Sequence, residues 1–81
     1  MTVSDIIKGL LSMTGKKQAD LAEVLGMSSK QAMSNKVRMN RWSADDLIKA
    51  AELCGGKVAM IMPDGQTIQL RNDEDEKSPD A

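Results

Sequence analysis

The sequence predicts a mainly helical α+β domain, four short helices followed by a C-terminal β-hairpin. Three observations lead there. Between residues 3 and 56 the apolar side chains recur every three or four positions, the period of helices that bury one face. Gly15, Gly26 and the Gly55, Gly56 pair divide that stretch into segments of helical length. Past them the period drops to two, with KVAMIM and TIQLR on either side of PDGQ, which reads as strand, turn, strand. Residues 1–71 then form one domain with the hairpin over 57–71, and 72–81 form a disordered acidic tail.

Each element has its own local reasons. Val3, Ile6, Ile7, Leu10 and Leu11 mark a first amphipathic helix that closes the core, with Thr2 as its cap and Asp5 in its first turn. Leu21, Ala22 and Leu25 mark a second, ended by Gly26, the residue that tolerates the left-handed geometry of a helix C-terminus. A third starts at Ser28 with Gln31 three residues on, as a capping box requires, and turns Met33 and Val37 to one face. A small residue at Ala22 lets these two helices cross closely, the requirement of a helix-turn-helix. Ser43 and Asp46 cap the fourth helix, which buries Leu47, Ile48, Ala51 and Cys54 or Leu53. Trp42, before the cap, is spaced to pack on Leu47 as a hydrophobic staple, a core role preferred over a stacking platform. In the hairpin, Pro63 and Asp64 sit at the turn centre and Gly65 takes the left-handed angle. Val58, Met60, Met62, Ile68 and Leu70 then need covering. The first helix supplies part of the cover, and the same hairpin of a second subunit, paired edge to edge about a twofold axis, supplies the rest. A monomer whose hairpin packs inward or lies on DNA as a wing is the other arrangement.

The stretch KKQADLAEVLGMSSKQAMSNKV, followed by SADDLIKAAELCG, resembles the helix-turn-helix core of the lambda-repressor-like, Cro or xenobiotic-response-element (XRE) regulators. The resemblance spans residues 3–56 and is carried by the Gln18, Leu21, Ala22, Leu25, Gly26 frame and the helix from Ser43 to Gly55. It departs from the family in carrying both Ser28 and Ser29, one residue more than usual after the glycine. Lys17 also stands where a Thr or Ser cap is usual. The resemblance implies a four-helix lambda-repressor-like fold, sequence-specific binding to double-stranded DNA as a dimer, and a bacterial or phage source. A hairpin after the fourth helix resembles the Cro branch.

Charge distribution points the same way. The whole chain carries a net charge of −1, yet residues 72–81 hold five carboxylates and one lysine. Without them the chain carries ten basic and seven acidic side chains. The positive charge gathers around the helix-turn-helix, and no acid occurs from Met27 to Trp42. On the third helix Lys30, Gln31, Ser34 and Asn35 lie away from the Met33 and Val37 face. Gln and Asn pair bidentately with adenine in the major groove, Lys reaches guanine O6 and N7, and Ser is permissive. These four are the candidate base-reading residues, with Gln31 equally suited to the capping box. The candidate phosphate contacts are Lys16, Lys17, Gln18, Ser28, Ser29, Lys36, Arg38 and Arg41. Two lysines at the start of the second helix oppose its dipole unless an anion binds there.

Other classes have less support. There is no His, the single Cys54 is expected to be a small buried thiol in a reducing cytoplasm, and no carboxylate pair accompanies a nucleophile. No enzyme, metal, cofactor or small-molecule ligand is expected, and no run of residues has the length and apolarity of a membrane span. The rival reading is a helix-turn-helix module that binds a protein, as an antitoxin-like or inhibitor subunit does; non-specific architectural binding is weaker still.

Overall fold

A computed structural model describes residues 1–71 of the 81; the stretch expected to be a disordered tail, 72–81, lies outside them. The described residues form four helices, α1 (Val3–Thr14), α2 (Gln18–Val24), α3 (Lys30–Met39) and α4 (Ala44–Leu53). Strands β1 (Val58–Ile61) and β2 (Thr67–Leu70) follow as an antiparallel hairpin. No helix among the described residues is long and apolar enough to cross a membrane.

Two helices start as their sequences require. The Thr2 hydroxyl accepts from the Asp5 N–H at 3.1 Å while the Asp5 carboxylate accepts from the Thr2 N–H at 3.0 Å. Ser43 and Asp46 repeat the exchange at 3.1 and 3.0 Å at the start of α4. Each reciprocal pair satisfies two backbone donors that the helix leaves unpartnered.

The start of α3 corrects the expectation. Ser29, not Ser28, is the cap, its hydroxyl accepting from the Ala32 N–H at 3.0 Å. The turn uses one residue more before the chain can re-enter a helix, so Ser29 is the residue in extended geometry, at φ −124° and ψ 132°. Gln31 then falls one position short of the place from which it would reach back.

The core is small. Leu21 and Met33 are fully buried and cluster with Ile7, Leu11 and Ala50, and Ile48 and Ala51 are buried on α4. All four helices thus contribute to this cluster, α1 with two residues, and Val3, Leu25, Val37, Trp42, Leu47 and Leu53 are half-buried around it. Ile6, expected in the buried stripe, is 49 % exposed, because the face of α1 turned inward is centred on Ser4, Ile7 and Leu11. Cys54, expected to be buried, is half-buried, since it lies past the last turn of α4 as its cap.

A polar latch joins the two ends of the helical layer. Asn40 ends α3 in the left-handed region, with φ 55°, the only described non-glycine residue with positive φ. Its side-chain oxygen accepts from the Ser4 N–H at 3.0 Å, an orphan donor in the first turn of α1. The buried Ser4 hydroxyl donates to the Val37 carbonyl at 2.6 Å and accepts from the Trp42 indole N–H at 2.9 Å. One asparagine therefore stops one helix and caps another. Asn40→Gly keeps the backbone angle and loses the cap, a cost of about 1 kcal/mol. Asn40→Ala adds roughly 1–2 kcal/mol of left-handed strain. Urea unfolding is expected to rank Gly above Ala here, the reverse of their order in a helix interior.

In the hairpin Val58 pairs with Leu70, Ala59 with Gln69, Met60 with Ile68 and Ile61 with Thr67. The turn closes through Gly65 N–H to the Met62 carbonyl at 2.9 Å, and the Asp64 side chain accepts from the Gln66 N–H at 3.0 Å. β1 lies against α4. The register places Val58, Met60, Ile68 and Leu70 on one face. Val58 and Leu70, at its base, are half-buried, whereas Met60, Met62 and Ile68 are exposed.

Candidate nucleic-acid interface

The outward side of α3 is built by the same spacing that buries Met33. Ser29 sets the register, and Lys30, Gln31, Ser34 and Asn35 come to the surface together, lining one shallow concavity. All four are exposed. With Ser29 as cap, the Gln31 amide has no place in a capping box, which removes the competing role weighed for it from sequence.

The phosphate candidates divide. Lys16, Lys17, Ser28, Ser29, Arg38 and Arg41 are exposed, and Ser29, although it accepts from the Ala32 N–H, keeps its hydroxyl proton to donate. Gln18, half-buried at the first position of α2, borders a depression shared with Ser34, Arg38 and Asn40 of the α3 side and with Thr2, Asp5 and Lys8 of α1. The start of α2 and the middle of α3 therefore open on one surface. At that helix start the Asp20 carboxylate accepts from the Lys17 N–H at 2.9 Å. A carboxylate already complements the dipole there, so the two lysines do not by themselves demand an external anion.

Lys36 does not belong with this set. Its Nζ lies 2.7 Å from the Asp46 carboxylate and 5.6 Å from the Trp42 ring centroid, with both charged side chains about four-fifths buried. The spacing from Met33 places Lys36 at the edge of the inward face, where α4 presents Asp46. Burial pushes the Asp46 carboxyl up, but the hydrogen bond from Lys36 and the Ser43 N–H outweigh it, and its pKa falls below the ordinary 3.8. A carboxyl lowered in the fold stabilises it above the ordinary value, and that contribution is lost as the pH falls through the lowered one. Unfolding midpoints are expected to hold steady above about pH 5 and to decline below it. Asp46→Asn should be less stable by about 1 kcal/mol at neutral pH and show a shallower acid decline.

Comparison of the chain with protein-family models, curated proteins and solved structures finds no match in any of the three. Geometry and chemistry alone carry the reading of this surface.

Trp42 is half-buried beside the core, its indole N–H donating to Ser4 Oγ at 2.9 Å and one face of its ring lying under Lys36 Nζ, an arrangement of a core residue. Sequence reasoning missed Lys8, exposed on α1 and bordering the Gln18, Ser34 and Arg38 depression. Its place on the polar side of α1 was legible, but its nearness to α3 depends on how α1 packs. A second depression runs along the other flank of α3, between Met27, Ala32, Asn35, Lys36, Arg38, Met39 and Arg41. Between α2 and the start of α3 lies a more apolar groove, bordered by Ala19, Ala22 and Met27. Among the described residues no three His, Cys, Asp or Glu side chains gather where a metal ion would be held.

Proposed function

We propose that this chain is a sequence-specific duplex-DNA-binding regulator of transcription, a repressor, with α2 and α3 as a lambda-repressor-like helix-turn-helix and α3 in the major groove. The observation that carries the reading is the exposed row Lys30, Gln31, Ser34 and Asn35 on a stretch without acids. Such a row supplies donors and acceptors to base edges, whereas a face shaped only for solubility more often mixes Glu with Lys. Lys16, Lys17, Gln18, Ser28, Ser29, Arg38 and Arg41 flank it and hold the phosphates. A second copy, joined through the exposed apolar face of the hairpin, sets two reading helices about one turn of duplex apart and makes the site a palindrome.

Selection of bound duplexes from a random pool tests this. The wild type is expected to enrich a palindrome, and Gln31→Ala and Asn35→Ala each to relax preference at separate base pairs by about 1–3 kcal/mol. Absence of enrichment, with binding lost at physiological salt, would sink the proposal. The apolar groove beside Ala19, Ala22 and Met27 favours a second reading, a protein-binding module. That reading takes over if Ala19→Glu, at an exposed residue of the same groove, abolishes capture of a protein partner while no duplex is enriched.

A further inference from the structure

We infer that Arg38 is a positioning residue for base recognition: it fixes the orientation of the Asn35 amide and thereby the base that Asn35 selects. The inference rests on the DNA-reading role proposed for α3. The Arg38 Nη2–H donates to Asn35 Oδ1 at 2.9 Å, between residues three apart on the same exposed helix face. An asparagine amide has two orientations, related by exchange of its oxygen and its NH2, that present opposite hydrogen-bond polarity to a ligand. Left free in water, Asn35 would offer both. Holding the oxygen toward Arg38 leaves the Nδ2 donors for a ligand beside Lys30, Gln31 and Ser34, which share a concavity with Asn35.

A donor-presenting amide suits an acceptor edge, N7 and O6 of guanine or O4 of thymine, and it is mismatched to the N4 amino group of cytosine. The guanidinium carries five donors in a rigid fork, so the hydrogen bond to Asn35 leaves others for a phosphate oxygen at the same time. Phosphate, Arg38, Asn35 and base then form a chain in which backbone contact enforces base choice. Nothing nearby substitutes for Arg38. The neighbouring cation, Lys36, is held by Asp46, and Arg41 borders the same flank of α3 without a hydrogen bond to Asn35. Asp5, the carboxylate bordering the depression on the other side of Arg38, is taken by the Thr2 N–H.

The test is duplex selection with the full chain and its Asn35→Ala, Arg38→Lys, Arg38→Gln and Arg41→Gln variants, each also titrated with a non-cognate duplex. The Asn35 contact gives the wild type a preference of roughly fivefold to 150-fold for a guanine or thymine over a cytosine at one position of each half-site. Asn35→Ala is expected to bring that preference below about threefold. Arg38→Lys keeps the charge and loses the fork, so the ratio of cognate to non-cognate affinity at that same base pair falls at least threefold, over and above any change shared by all sequences. Arg38→Gln loses both, and Arg41→Gln weakens binding to all sequences alike. Retention of the wild-type preference by Arg38→Lys, or selection of cytosine at the Asn35 position, would overturn the inference while leaving the DNA reading intact. A wild type that enriches no sequence would overturn both.

Discussion

Leu21→Ala is expected to remove about 2–5 kcal/mol of stability and to lower the unfolding midpoint by roughly 10–30 °C. The side chain is fully buried where α1, α2, α3 and α4 meet, and its truncation leaves a cavity that none of the rigidly placed neighbours, Ile7, Leu11, Met33 and Ala50, can fill without moving its helix. A domain of this size commands only about 4–10 kcal/mol in total, so one such cavity takes a large part of it. Ile61→Ser, at a residue 79 % exposed in the hairpin, serves as the comparison and is expected to change the monomer's stability by less than about 0.5 kcal/mol. Circular dichroism during urea and thermal unfolding reads both. Equal losses in the two variants would contradict the placement of the core. A loss for Ile61→Ser that grows with protein concentration would point to a dimer that uses the hairpin.

The second large effect is the dependence of DNA affinity on salt. The proposed phosphate set retains four exposed cations, Lys16, Lys17, Arg38 and Arg41, once Lys36 is withdrawn to Asp46. Each neutralised phosphate contributes a slope of about −0.9 to the logarithmic dependence on salt, so a dimer is expected to show about −7. Between roughly 50 and 200 mM salt the affinity then falls on the order of 10⁴-fold. The discriminating comparison is between single variants. Arg41→Gln should reduce the magnitude of the slope by about 1.8 per dimer, and Lys36→Gln should leave it within about 0.5 while destabilising the fold. Anisotropy titrations with a labelled duplex at several salt concentrations measure these slopes. A Lys36→Gln slope that falls as far as that of Arg41→Gln would show that the lysine leaves Asp46 to meet a phosphate.

What was legible in the sequence was what near neighbours decide. The Thr2 with Asp5 and Ser43 with Asp46 caps, the stop at Gly26, and the switch to alternate spacing after Gly56 all depend on groups within a few residues, and the helices and hairpin follow from them. The exposure of Lys30, Gln31, Ser34 and Asn35 was legible for the same reason: a helix period fixed by Met33 and Val37 leaves them on the other side.

Groups brought together from a distance were not legible. Spacing said that Lys36 was basic and near the reading face; that it is neutralised depends on α4 laying Asp46 and Trp42 beside it. Nothing in the sequence marks out Ser4, whose hydroxyl ties Val37 and Trp42 to α1 while Asn40 accepts from its N–H. Even the choice of Ser29 over Ser28 followed from the extra turn residue needed to bring Met33 onto Leu21. Apart from the start of α3 and the place of Ile6, the sequence by itself determined the helices and strands and the faces they bury, because those choices rest on hydrogen bonds and side-chain periods spanning at most about four residues. Only the tertiary structure decided which charges stay free to meet a ligand and which are neutralised inside the protein. A charge's partner depends on distance in space, and that distance exists only once the helices have packed.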